Sequence, residues 1–169
     1  MHQTNHEEHQ NHSHQDHSSH DHSNHHEMMI EDFKKRFFVS LVITVPILIL
    51  SPFIQSLLGF ELSFPGDMYV LLALATLIYF YGGKPFLIGA KDELKDKSPA
   101  MMTLIAFAIT VAYVYSTLTL FVLDGEGFFW ELATLIVIML LGHWIEMRSV
   151  MGASKALDEL IKLMPEEAH

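Results

Sequence analysis

Four apolar runs, each long enough to cross a hydrocarbon core of about 30 Å, decide what this chain can fold into. They cover approximately Phe37 to Leu58, Met68 to Phe80 with a continuation, Met101 to Leu123, and Phe128 to Ile145. Lipid offers no water to backbone N–H and C=O groups, so runs of this length and uniform apolarity satisfy themselves as helices. The expected fold is an all-α membrane protein with four transmembrane helices. Pro46 and Pro52 predict kinks in the first span, and the second is interrupted at Gly82-Gly83-Lys84-Pro85.

The mean hydropathy of +0.27 averages two unlike parts. Residues 1–32 hold ten of the twelve histidines and no Lys or Arg. The expected organisation is a disordered His-rich tail over 1–32, a first helix pair with a surface platform over 33–99, and a second pair with a helical stalk over 100–169. The formal charge of -10 is concentrated in the tail and its exit, at Glu7, Glu8, Asp16, Asp21, Glu27, Glu31 and Asp32, which argues against nucleic acid as a partner. Met1 to Glu27 has neither the basic start nor the apolar stretch of a secretory signal, so the tail is expected to stay on the protein. The chain has no cysteine, so any metal must be held by His, Met, Asp or Glu.

In the tail His2, His6, His9, His12, His14, His17, His20, His22, His25 and His26 recur every few residues among Asn, Gln, Ser and Asp. Such a composition cannot bury a core, and neutral imidazoles in a flexible array offer many interchangeable sites for Cu(II), Zn or Ni. Metal binding is the strong inference; an expression tag or a solubilising spacer is the bland alternative.

Inside the spans the polar residues are few. His143 and Glu146 sit at the inner end of the fourth, with Met139 and Met147 four residues to either side of His143, so imidazole, carboxylate and thioether share one face. Met101-Met102 opens the third span at the same level. Methionine is a common gap-filler and also a soft ligand for Cu(I). Lys84 to Lys97 has apolar residues at helical spacing with charges between them, the pattern of an amphipathic helix lying on the membrane surface. Beyond Ile145 an apolar stripe through Val150, Ala153, Leu157, Leu160 and Ile161 predicts that the fourth span continues as a stalk, ended by Pro165. The stop at Met164 to His169 reads as a cut through a longer polypeptide.

The blocks GGKPF, MMTLIAFAITVAYVYS and WELATLIVIMLLGHWIEMRSVMGASKALDELIKLMPEEAH, in this order after a His-rich tail, resemble the heavy-metal P-type ATPases, specifically their CopB-like copper-exporting branch. The resemblance covers essentially all of the chain from Phe33. It implies that Gly82 and Gly83 kink the second span, so that its inner half forms a platform bearing Lys84, Lys91 and Lys95 for a cytoplasmic metal donor. It further implies that Met101 and Glu146 are ligands on the ion access pathway, with His143 as a neighbour. Copper, as Cu(I) or Cu(II), is the implied ion, with silver or zinc as the other candidates. ATP and Mg would act only in the actuator, phosphorylation and nucleotide-binding domains, which the resemblance places beyond His169. A zinc- or cadmium-exporting relative and a non-enzymatic membrane sequestration protein are the alternatives.

Lys and Arg resist translocation, and all ten fall on one side of the four-span arrangement, before the first span, between the second and third, and after the fourth. The expected location is the cell membrane, with several passes and both termini cytoplasmic. In the cysteine-free chain, Leu62→Cys and Gly125→Cys should therefore react with an impermeant maleimide added to intact cells, and Ser154→Cys should not. Labelling at Ser154 from outside would overturn this topology.

Overall fold

The computed structural model describes residues 18–163 apart from 124 and 126, with residues 18–26 described by backbone only. All regular structure among these residues is helical: α1 (Ser18–Leu50), α2 (Pro52–Leu58), α3 (Asp67–Tyr81), α4 (Lys84–Lys95), α5 (Met101–Phe121) and α6 (Phe129–Leu163). Two helices, α5 and α6, are by themselves long and apolar enough to cross a membrane. The count reaches four when α1 with α2, and α3 with α4, are each taken as one bent span.

Both bends follow from proline chemistry. Pro52 has no N–H with which to continue the helix, and the chain turns by 68° between α1 and α2. The buried Gln55 steadies this turn: its Nε2 donates to the carbonyls of Ile49 and Leu62, and its Oε1 accepts from the Leu62 N–H. Pro46, expected to kink the same span, lies inside α1 without breaking it. Between α3 and α4 the bend is 50°. Pro85 cannot donate to the carbonyl of Tyr81 four residues back, and the Arg36 Nη1 donates to that oxygen at 2.6 Å instead. The guanidinium also lies 5.0 Å above the Tyr81 ring and is bonded to Asp32 at 2.6 Å.

At 1.5 Å per residue, α1 and α6 are each about 50 Å long, so both project about 20 Å past a hydrocarbon core. They run antiparallel and form the most extensive helix pairing in the fold. Aromatic pairs mark their register, Phe37 with Trp144 at 6.0 Å and Phe33 with His143 at 5.9 Å between ring centroids. An ion pair from Lys155 Nζ to Glu27 Oε1 at 3.3 Å joins their projecting ends.

The expected tail boundary lies within α1. The boundary anticipated at residue 32 falls inside a continuous helix that begins at Ser18, carrying His20, His22, His25 and His26 on its backbone. Extending an existing helix costs little compared with starting one, and at Glu27 this end bonds Lys155 of α6. His2, His6, His9, His12, His14 and His17 lie outside the described residues. The stalk runs to Leu163 as the apolar stripe predicts, while Pro165 also lies outside them.

The core beneath this arrangement is apolar, with Ile47, Ala75, Ile78, Phe86, Ile109, Leu132, Ala133, Ile136 and Leu140 fully or nearly fully buried. Gly82, at the end of α3, packs against Ser40 of α1 and Ile136 of α6. A Cβ there would come within 2.5 Å of Ser40 Oγ and 2.8 Å of Ile136 Cγ2, whereas at Gly142 it would meet nothing within 4 Å. Overpacking of this kind typically costs about 1–3 kcal/mol. Gly82→Ala should lower the thermal midpoint of the detergent-solubilised chain by several degrees, and Gly142→Ala should leave it unchanged or raise it.

Candidate metal access cavity

Residues of α1, α4, α5 and α6 border an open cavity of about 1020 Å³. His143, Glu146 and Met147 of α6 form one wall, Met102 of α5 and Gly89 of α4 a second, and Met28, Met29 and Phe33 of α1 a third. Farther along α6, Met151 and Lys155 continue the lining, so five of the ten methionines in the sequence border one space.

His143 is held from three directions. Its ring stacks on Phe33 at 5.9 Å, meets Phe86 edge-on at 5.4 Å, and approaches the Met139 carbonyl through Nδ1 at 3.2 Å. A carbonyl can only accept, so Nδ1 is the donor in this bond. No other hydrogen bond to the ring occurs among the described residues. A buried imidazole whose second nitrogen is tied to a backbone carbonyl is the arrangement used to fix ligating histidines. Glu146 is exposed on the same wall, and the pairing with Arg148 that a purely interfacial role would suggest is absent among the described residues.

Of the sequence-predicted residues, the structure brings His143, Glu146 and Lys84 together at this cavity. Met101 is 53% exposed and does not line it, whereas the adjacent Met102 does. One residue is a turn of about 100° around a helix, and the run of apolar residues did not say which of the two methionines faces inward. Gly82 and Gly83 lie at the α3–α4 junction and are buried. Lys84, Lys91 and Lys95 are exposed on α4, whose Phe86 and Ala90 face the core. Among the described residues no group of three or more His, Cys, Asp or Glu is placed to hold a metal ion. The cavity instead offers thioethers, one imidazole and scattered carboxylates, a donor set suited to a soft ion.

One structural residue escaped the sequence reading. Glu93 of α4 reaches across the loop to the start of α5, where its carboxylate accepts the N–H groups of Ala100, Met102 and Thr103 at 2.8, 3.2 and 2.8 Å and the Thr103 hydroxyl at 2.6 Å. The donors are seven to ten residues away, beyond any local capping pattern. The carboxylate also lies at the positive end of α5. By this bond the platform helix fixes the position of Met102.

No family model matches the chain, and no solved structure does. Among curated proteins it is 65% identical over 142 residues to the copper-exporting P-type ATPase B of Archaeoglobus fulgidus, covering 84% of this chain and 21% of the relative. It is 54% identical over 148 residues to the copper-exporting P-type ATPase B of Enterococcus hirae, covering 82% of this chain and 20% of the relative. A more distant relative, the copper-exporting P-type ATPase of Legionella pneumophila, is 32% identical over 150 residues, covering 82% and 20%. The chain thus spans about a fifth of the length of the curated relatives it matches.

The Glu93 cap has a pH signature. Hydrogen bonds, led by that from the Thr103 hydroxyl, hold this carboxyl at about 2 against an ordinary 4.5. A depressed carboxyl contributes fully above its unfolded value and loses that contribution as pH falls from there toward about 2. Thermal melts of the detergent-solubilised chain at pH 6 and pH 3 should show Glu93→Gln less stable than wild type at pH 6, with the gap narrowing at pH 3. A gap independent of pH would refute the cap.

Proposed function

We propose that this chain, a member in sequence of the copper-exporting P-type ATPase B group, is the N-terminal membrane part of an ATP-driven exporter of copper or silver ions. Its tail collects metal, and its helices form the cytoplasmic access pathway. The observation that carries this reading is the cavity at the bend of the second span, which Met102, His143 and Glu146 all line. Both termini are cytoplasmic, so the cavity opens to the compartment from which the ion is removed.

A thioether, an imidazole and an exposed carboxylate make an incomplete coordination shell. Such a site accepts an ion without trapping it, as a pathway requires. Thioether sulfur favours Cu(I) and Ag(I) over zinc, whose usual ligands are thiolate, imidazole and carboxylate. Met102 takes the ligand role that the resemblance assigned to Met101, with Met101 at the outer rim of α5. The exposed Lys84, Lys91 and Lys95 of α4 form a positively charged platform beside the cavity, suited to an acidic metal donor. ATP and Mg act in other parts of the transporter.

In the full-length protein, Met102→Leu keeps volume and removes the sulfur, and Glu146→Gln keeps size and removes the charge. Each should lower copper-stimulated ATPase activity at limiting copper by about 10-fold, the scale of a lost metal-site partner, with normal expression. Met101→Leu should have the smaller effect. Wild-type copper dependence in the Met102→Leu, Glu146→Gln double variant would sink the access role.

A further inference from the structure

The cavity continues past His143 toward the projecting ends of α1 and α6, and methionines line that extension from both helices. On α6, His143, Met147 and Met151 are spaced four residues apart, so they form a ladder on one face with steps of about 6 Å. On α1, Met29 lies four residues before Phe33, on the same stripe, with Met28 beside it.

Two contacts bound the stretch of α1 and α6 that carries these residues. Phe33 stacks on His143, and six residues toward the α1 start Glu27 bonds Lys155, twelve residues along α6. Met28 and Met29 lie between these two rungs on α1, and Met147 and Met151 lie between them on α6. All four border the same open volume, with Met29 40% and Met28 63% exposed. Large apolar side chains with packing as their only role would be expected to close this space against one another. Here they border an open space that His143 also lines.

We propose that Met28 and Met29 of α1, with Met147 and Met151 of α6, form a second, thioether-only site for a soft monovalent cation of the Cu(I) or Ag(I) class. It lies between the His-rich segment of α1 and His143. This rests on the access role of the cavity and adds a preceding station to it. The helix that carries His20, His22, His25 and His26 on its backbone runs directly into Met28 and Met29. Along the sequence of α1, sulfur donors thus follow imidazole donors. Sulfur without charge selects for softness: Zn(II) and Mg(II) gain little from it, whereas a d10 monovalent ion gains most of its coordination energy there.

The test uses the whole chain in lipid nanodiscs with 13C-methyl methionine, titrated with silver nitrate and followed by methyl NMR, each signal assigned by a single Met→Leu change. The methyls of Met28, Met29, Met147 and Met151 should shift together within the first equivalents, while Met68 at the opposite end of α3 stays fixed. Zinc chloride should not reproduce the pattern. In the fourfold variant Met28→Leu, Met29→Leu, Met147→Leu, Met151→Leu, the silver affinity read at the Met102 methyl should fall at least tenfold. Shifts at Met102 alone would overturn this site and leave the access role standing. Shifts at no cavity methionine would overturn both. Equal, weak shifts at every methionine including Met68, or the same pattern with zinc, would also overturn the second site. The wild-type titration decides the question even if the fourfold variant does not fold.

Discussion

Every backbone polar group placed in hydrocarbon must find a partner within the protein, and this demand shapes the inner half of the molecule. Three prolines, Pro46, Pro52 and Pro85, each remove one helical donor. At each of the two bends a side chain bonds backbone groups of the turn. Gln55 serves the α1–α2 turn with three hydrogen bonds, and Arg36 serves the α3–α4 turn by donating to Tyr81. The second case reaches further than backbone repair. Arg36 comes from α1, so the bend of the second span is tied to the helix that walls the cavity.

The platform helix is consequently held at both ends by groups distant in sequence. At its start, Gly82 and Gly83 permit contact with Ser40 and Ile136 on one side and Ile109 on the other, which a Cβ would prevent. Near its end, Glu93 binds the first turn of α5 through four hydrogen bonds. Gly89 completes the fit, since a Cβ there would stand 2.8 Å from Met102 Cγ. The position of Met102 thus depends on a glycine and a carboxylate of α4 as much as on α5 itself. A helix held this firmly can act as a floor for a cavity, where one held by lipid contact alone would slide.

The spans, their breaks and the stalk were legible because each has a local cause. Apolar length, proline and helical periodicity are all written within a few residues of where they act. The cap from Glu93 was not legible, because its partners lie across a loop and nothing in DELKDKSPAMMT distinguishes Glu93 from Asp92 or Asp96. Nor could apolar patterning say which of Met101 and Met102 lines the cavity, since that depends on how α5 is rotated against α4 and α6. The start of α1 at Ser18 was missed for a related reason. A polar, His-rich composition argues against an autonomous core, but this segment needs none while it continues a helix already paired with α6.

The chemistry of the cavity then follows from what the helices leave open rather than from a dedicated ligand cage. Carboxylates and imidazoles do not cluster anywhere among the described residues, so a hard or borderline divalent ion has no closed site there. Thioethers cost nothing to bury and need no counter-charge, which lets them line a partly apolar passage without the desolvation penalty of ionised groups. His143 is the single imidazole in this lining, and its ring is oriented by Phe33, Phe86 and the Met139 carbonyl before any ion arrives. Preset in this way, it loses little rotational freedom on binding, so one nitrogen can contribute where neutral sulfur alone binds weakly. Neutral sulfur donors beside one oriented nitrogen favour a soft ion over a hard one.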